Sequence, residues 1–223
     1  MKTVNSKIPS WCNSYFKENE ILQLESVINE IEKTTTGELV VVINRRCSEL
    51  KLLPITLTLL IWIAVENSRL IDFVSGQFGH SLLWQLSFLT ASLAIGFALG
   101  NLSIWYRWLS SAEELSARAW AAAELEFYRS KINNTKEATG ILIFISLYEH
   151  QVVVLADKQI SDKKPNDTWS GLIAKIQNGI RSQNLSAGIS DGLLQSGKLL
   201  SELFPAKKQN ENELSNAIVF RDL

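Results

Sequence analysis

Two short apolar stretches, Glu38-Leu-Val-Val-Val-Ile43 and Ile141-Leu-Ile-Phe-Ile-Ser146, decide the fold class of this chain. Continuous apolar runs of this length are typical of strands that are buried on both faces of a sheet. A third run, Gln151-Val-Val-Val-Leu155, follows the second after a short turn, and these two predict a β-hairpin. We expect the first strand to pair with the later ones, because an isolated strand leaves its backbone hydrogen-bonding groups unsatisfied.

Amphipathic helices surround these strands in the sequence. Residues 19–33 carry isoleucine, leucine and valine at helical spacing, and the glutamates between them, including Glu25 and Glu32, are expected to face water. Strands that are covered by helices indicate the α/β class, here a small α/β sandwich. The other predicted helices cover residues 112–131, 169–182 and 185–204.

An almost uncharged insert separates the first strand from the others. The whole chain has 22 basic and 23 acidic residues and a net charge of −1, which does not suit a strongly basic nucleic-acid-binding protein. Between residues 52 and 106, however, only Glu66, Arg69 and Asp72 are charged. Such a stretch is hard to cover inside a domain of this size, so it is predicted to cross a membrane. Burial of its apolar runs in a soluble core is the less favoured alternative.

Two apolar runs in the insert are candidate transmembrane helices. The first, residues 50–65, is shorter than the roughly 20 residues of a typical span, so Lys51 must snorkel and the bilayer must thin locally. The second, residues 81–103, is long enough, and Trp84 lies near one end as in an interfacial aromatic belt. A single span with a re-entrant first run is the alternative, but it would place the first strand and its partners on opposite sides of the membrane.

Three small residues of the second run, Ser92, Gly96 and Gly100, lie four residues apart and therefore on one helix face. Small residues at this spacing let a neighbouring helix approach closely, which predicts a helix-packing role. Chance is the alternative explanation, because small residues are common in membrane helices.

Basic residues flank the two runs on the outer sides, whereas the connecting segment 66–80 carries only Arg69. The positive-inside rule therefore predicts that both termini and the soluble domain are cytoplasmic, in a two-span inner-membrane protein. Cys12 and Cys47 match no metal or redox spacing and are expected to be free thiols, and no signal peptide is apparent. The flanking basic residues are Arg45, Arg46, Lys51 and Arg107.

One soluble domain cut in two by a membrane hairpin is thus the predicted organisation. The tail after the last helix is polar and is expected to be loosely ordered. The predicted parts are an N-terminal segment 1–15, a first domain part 16–48, spans 50–65 and 81–103, a second domain part 110–205, and the tail 206–223.

This pattern resembles the TPM domain family over about residues 15 to 220, and most closely its bacterial membrane branch, in which two spans interrupt the domain. The resemblance implies an α/β/α sandwich and, because the family is often labelled a phosphatase, phosphatase activity. The motifs that carry it are Thr36-Gly37-Glu38-Leu39, residues 139–160 from Thr139 to Ile160, Trp169, Leu203-Phe204-Pro205 and Asn212-Glu213-Leu214.

A set of acidic residues is the candidate site for chemistry. Ligands of open α/β sheets collect at strand ends, and a hard cation such as Ca²⁺ or Mg²⁺ would take carboxylate oxygens there. Helix capping and loop solvation are the alternative interpretation of the same residues. The set comprises Glu38, Glu149, Asp157 and Asp162, with His150 as a supporting residue.

Two hypotheses about function follow. Lumenal and secreted members of the family that this chain resembles typically have an acidic turn before the second strand and a glycine-rich turn after the third. This chain instead has Ala138-Thr139-Gly140 and Asp157-Lys158-Gln159 at these places. The departures favour a non-catalytic interaction or membrane-protein quality-control module, whose partners are the lipid bilayer and other membrane proteins or copies of itself. The second hypothesis is a metal-assisted acid phosphatase.

Overall fold

The computed structural model describes residues 8–47, 53–67, 69–78, 82–100, 110–164, 166–207 and 213–222. The chain forms two compact units. One unit combines Met1–Cys47 with Ala112–Leu223, and the other is Ser48–Ser111. Of the predicted membrane spans, residues 50–52, 81 and 101–103 lie outside the described residues, as does His80.

The first unit is built around a four-stranded sheet with the order β3-β2-β1-β4. Its strands are β1 (Glu38–Asn44), β2 (Gly140–Ser146), β3 (Gln151–Ala156) and β4 (Val219–Arg221). Strand β1 runs parallel to β2 and to β4, whereas β2 and β3 form the predicted antiparallel hairpin. The strand that precedes the insert therefore pairs with strands that follow it, as its unsatisfied backbone requires.

Helices cover both faces of this sheet and make an α/β/α sandwich. On one face, α1, α7 and α8 pack against Leu39, Val41 and Ile43 of β1 and the equivalent positions of β2. The other face is covered by α5. The α-helices of the described residues are, in chain order, α1 (Glu18–Glu32), α2 (Leu53–Asn67), α3 (Leu70–Phe78), α4 (Leu82–Gly100), α5 (Ala112–Arg129), α6 (Lys158–Ser161), α7 (Ser170–Arg181) and α8 (Leu185–Leu203).

Small side chains set the distance between α5 and the sheet. Ala119 and Ala123 are fully buried against Val40, Val42 and Phe144. Alanine combines high helix propensity with a side chain that lets the helix backbone approach the strands. The alanine-rich composition of this segment therefore serves packing as well as helix formation.

The described residues of the second unit form α2, α3 and α4, and α2 packs against α4. Among the described residues, α4 alone is long and apolar enough to cross a membrane, and the apolar part of α2, Pro54–Val65, is shorter. Residues 66–80 were expected only to connect the two runs, but most of them form α3.

Two further expectations are wrong. The tail is not loosely ordered at residues 213–222, because it supplies β4 and the buried Ile218. Glu32 does not face water either: it is 6% exposed. It follows Ile28 by four residues, and this spacing brings it onto the core-facing side of α1.

Candidate functional site

The candidate carboxylates do not share one site, because they lie at opposite ends of the strands; each such end is called here an edge of the sheet. Glu38 begins β1 opposite Gly140, and the backbone N–H of Asp157 donates to the carbonyl of Gly140 at 2.9 Å, so these two acids share an edge. Glu149 lies at the other edge, in the turn between β2 and β3. Within the described parts of the chain, no three acidic, histidine or cysteine side chains are grouped so that they could hold a metal ion.

Glu38 is used to hold the C-terminal segment. Its carboxylate, on a residue that is 4% exposed, accepts backbone hydrogen bonds from Glu213 at 3.2 Å and Leu214 at 3.3 Å. Burial raises the pKa of Glu38, the two hydrogen bonds oppose this, and the negative charge of Glu213 adds to the increase. The position of Glu38 at a strand end therefore has a clear structural use.

Asp157 and Asp162 bracket the short helix α6. Asp157 is the N-cap, and its Oδ1 accepts the backbone N–H of Lys158 at 2.7 Å. Its second oxygen, Oδ2, is buried and has no hydrogen-bond partner among the described residues. Asp162 is the exposed C-cap of the same helix. Oδ2 of Asp157 is thus the oxygen of this set that is best placed to take an added donor or cation.

Glu32, which the sequence predicted to be exposed to water, is instead a buried carboxyl group close to Glu38. The backbone N–H of Leu39 donates to Oε1 of Glu32 at 3.0 Å. Burial raises the pKa of Glu32 to about 8; hydrogen bonds from Leu39 and the Asn216 side chain lower it, and the charge of Glu38 raises it. Glu32 is therefore mostly protonated at neutral pH. Its four-residue spacing from Ile28 was the sequence signal for this burial.

At the carboxyl-terminal ends of β1 and β2, a chain of polar contacts links both strands. The Asn44 amide donates to the Cys47 sulfur at 3.3 Å, and the thiol donates to the Ser146 hydroxyl at 3.2 Å. Ser146 in turn donates to Glu149, whose other oxygen accepts the backbone N–H of Cys47 at 2.9 Å. These contacts fix the last described residue before the insert to the turn between β2 and β3.

The thiols in this unit are poor nucleophiles. Burial raises the pKa of Cys47 to about 11, the hydrogen bond with Ser146 opposes the increase, and the charge of Glu149 adds to it. Burial also raises the pKa of Cys12 to about 12. Both cysteines are free, and both stay protonated at neutral pH. His150 lies in the turn beside Glu149 with a φ of 52° and is half-buried.

In the second unit, the three small residues of α4 face α2. Ser92, Gly96 and Gly100 are all buried. A Cβ atom on Gly96 would lie 2.3 Å from Oγ1 of Thr58, and one on Gly100 would lie 2.4 Å from Cα of Pro54. Ser92 donates to the carbonyl of Phe88 in its own helix at 2.8 Å, so its hydroxyl is satisfied locally. The backbones of the two helices approach so closely because glycine carries no Cβ.

The fold places this chain in the class of α/β/α sandwiches, here with an apolar insert after the first strand. Residues 109–199 match the TPM phosphatase family model, which is described as the TPM domain, and the predicted resemblance to a TPM domain is confirmed over that range. The structure is similar to the NMR structure of the BA42 protein from the psychrophilic bacterium Bizionia argentinensis sp. nov.. The TM-score is 0.57 with 20% sequence identity, over 92% of this chain and 95% of that chain, which is a likeness of fold. No curated protein matches the chain.

Proposed function

We propose that this chain is a membrane-anchored TPM-type protein that works as a non-catalytic interaction or membrane-protein quality-control module. The continuity of the sheet across the insert carries the proposal. Strand β1 precedes the insert, β2 follows it, and the two are hydrogen bonded from Glu38 opposite Gly140 to Asn44 opposite Ser146. Both ends of the insert must then be on one side of any membrane, so the insert crosses an even number of times.

The exposed surface of α4 supports insertion. Leu82, Leu83 and Phe97 are 75%, 74% and 66% exposed, and 11% of the residues in its apolar window are buried. Keeping apolar surface in water costs about 25 cal/mol per Å², and a bilayer removes that cost. A helix of 19 residues spans roughly 28 Å at 1.5 Å per residue, close to the hydrocarbon thickness. The shorter Pro54–Val65 requires local thinning if it also crosses.

The flanking basic residues support cytoplasmic termini and an external position for α3. Gly76 is a suitable reporter because no described atom lies within 4 Å of the place where its Cβ would be. In sealed inside-out vesicles, a Gly76→Cys variant should resist a membrane-impermeant thiol reagent and react only after the vesicles are opened. The unmodified chain, with Cys12 and Cys47, is the control. Labelling of the introduced cysteine before opening would contradict the proposed orientation.

The roles of the candidate acids support a non-catalytic module. Glu38 accepts hydrogen bonds from two backbone amides of the C-terminal segment, and Asp157 caps α6. Glu149 accepts a hydrogen bond from the backbone N–H of Cys47. Phosphate-ester cleavage needs groups that are free to neutralise charge and to activate a nucleophile. These carboxylates instead stabilise the fold.

A metal-assisted phosphatase is the second candidate function, and one observation favours it. Oδ2 of Asp157 is buried without a hydrogen-bond partner in the described part of the chain, and it lies at the same sheet edge as Glu38. A divalent cation would satisfy such an oxygen. The family model that matches residues 109–199 also carries the phosphatase name.

Turnover of a generic phosphomonoester by the full chain in detergent micelles, with Mg²⁺ or Ca²⁺ added, separates the two functions. We expect no turnover above that of the buffer and no cation binding by isothermal titration calorimetry. Cation-dependent turnover that is lost in Asp157→Asn but kept in Asp162→Asn would establish the phosphatase instead. Asp162 is the matched control because it caps the other end of α6 and is exposed.

A module of this kind must also contact other proteins within the membrane. Photo-crosslinking from the exposed Leu83 position should therefore give a defined adduct with a membrane protein or with a second copy of this chain. A crosslinker at the buried Ser92 position is the control for contacts made within the chain. Adducts to lipid alone would contradict the interaction role.

A further inference from the structure

Residues 213–222 form a C-terminal strap along α1 and β1. The strap ends as β4, in which Val219, Phe220 and Arg221 lie opposite residues 42–44. One more backbone hydrogen bond, from Arg45 N–H to the Arg221 carbonyl at 2.9 Å, extends this pairing. Ile218 is 1% exposed and lies in the main core. A strand this short at the edge of a sheet depends on side-chain contacts to stay docked.

Carboxyl groups of α1 and β1 supply many of those contacts. Glu38 accepts the backbone N–H groups of Glu213 and Leu214, and Glu25 accepts that of Ile218 at 3.1 Å. Between them, Glu32 makes a side-chain hydrogen bond with Asn216. The acidic side chains of α1 and β1 thus hold the strap from Glu213 to Ile218. Its far end is held by Arg221, which binds Glu126 of α5, and by Asp222, which pairs with Arg45.

The groups around Glu32 are mainly acidic. Glu38 faces it from β1, and Glu213 lies next to Glu38 on the strap and accepts the backbone N–H of Lys136 at 2.9 Å. On α1 itself, Lys33 is paired with Glu30 at the exposed surface, and Glu25 is engaged by the strap. A negative charge on Glu32 would therefore be buried and would repel Glu38. Burial holds the pKa of Glu32 at about 8, so Glu32 is mostly uncharged at neutral pH.

We propose that the strap is a pH-controlled latch, which is docked while Glu32 is protonated and opens when Glu32 loses its proton. Opening lets water reach Glu32 and Glu38 and relieves the repulsion between them. It also frees the β1 backbone at residues 42–44, which is then an exposed sheet edge able to pair with another strand. The latch does not depend on the proposed function.

The pH at which the strap opens follows from the coupling between its docking and the protonation of Glu32. An open strap exposes Glu32, whose pKa then falls towards its ordinary value of 4.5, whereas the docked state holds that pKa at about 8. The docked state thus binds the proton more tightly, and alkaline pH favours opening. Full solvation of Glu32 in the open state would raise the opening equilibrium constant about fifty-fold between pH 6 and pH 8.

Hydrogen exchange of the full chain in detergent micelles tests the latch. The amides of Leu214, Ile218 and Arg45 report on the strap, and those of Ile143 and Val154 report on the central strands. After correction for the intrinsic rate, strap protection should fall by about one to two orders of magnitude from pH 6 to pH 8. Protection of the central strands should stay constant. A parallel fall in both sets would mean unfolding of the whole domain and would overturn the latch.

Two variants complete the test. Glu32→Gln keeps an acceptor for Leu39 but cannot ionise, so its strap protection should not change with pH. Glu30→Gln alters an exposed acid of the same helix that is paired with Lys33, so it should keep the pH dependence of the wild type. A pH step that persists in Glu32→Gln would overturn the proposal. If that variant does not fold, the wild-type titration decides, because constant strap protection also overturns it.

Discussion

Replacement of Gly96 by alanine is the sharpest test of how α2 and α4 pack. An added Cβ would lie 2.3 Å from Oγ1, 2.6 Å from Cα and 2.8 Å from the backbone N of Thr58. Unstrained carbon contacts lie at about 3.5 to 4.0 Å, so the helices must separate by roughly 1 Å. Two of the three neighbouring atoms belong to the backbone, and a rotamer change cannot relieve these contacts.

The expected loss is the difference between two effects. Overpacking of a tight contact typically costs about 1 to 3 kcal/mol. Alanine in place of glycine also stabilises a helix by about 1 kcal/mol, which offsets part of that cost. We therefore expect Gly96→Ala to lower the free energy of unfolding by up to about 2 kcal/mol. Gly76→Ala in α3 shares only the favourable effect, because its Cβ would meet no described atom, and it should be neutral or slightly stabilising.

Titration of the full chain with SDS, starting from mild detergent micelles and followed by tryptophan fluorescence, measures both variants. The two substitutions have the same chemistry, so the difference between their unfolding free energies isolates the contact with Thr58. A Gly96→Ala protein at least as stable as Gly76→Ala would refute the close approach of the two helices.

Two further predictions concern buried acids of the first unit. Because the folded protein holds the pKa of Glu32 at about 8 against an ordinary 4.5, protonated Glu32 contributes stability that is fully present below pH 4.5 and is lost as pH rises from there to 8, by at most about 5 kcal/mol. Urea unfolding at pH 5 and pH 9 should show this loss in the wild type, and Glu32→Gln should abolish it. An equal loss of unfolding free energy between these pH values in Glu32→Gln would contradict the prediction. Glu126 accepts three hydrogen bonds from Arg221, two from Nε at 3.2 and 3.1 Å and one from Nη2 at 2.6 Å, and its side chain is 4% exposed. Glu126→Gln should lower the free energy of unfolding in urea by about 1 to 3 kcal/mol. Glu114→Gln, which removes the acid of the exposed pair with Arg118, is the control and should lower it by under about 0.5 kcal/mol. Equal losses in the two variants would show that burial does not strengthen the Glu126–Arg221 pair.

The sequence was most informative where a segment depends on its own pattern. The apolar runs of β1, β2 and β3 predicted strands, and amphipathic spacing predicted α1, α7 and α8 to within one or two residues at each end. The pairing of β1 across the insert was also predictable, because an unpaired strand violates a general requirement of the backbone. The α/β class followed from these elements.

The strap and its acids were not predictable in the same way. Residues 219–221 form a strand because β1 offers an open edge, and no pattern in three residues states this. Glu32 is buried and makes a hydrogen bond with Asn216 of the strap, although only its spacing from Ile28 hinted at this burial. Both features depend on segments that are far apart in the chain.

The candidate acidic site shows the same division. By itself the sequence determined that Glu38, Glu149 and Asp157 lie at strand ends, because strand ends are local features. Only the tertiary structure decided which ends meet: β3 runs antiparallel to β2, so Asp157 returns to the edge of Glu38 while Glu149 stays at the opposite edge. It also decided which carboxylate oxygens are occupied, since the backbone N–H groups that bind them come from distant parts of the chain. Hydrogen bonding and burial are set by neighbours in space, and one-dimensional patterns do not record them.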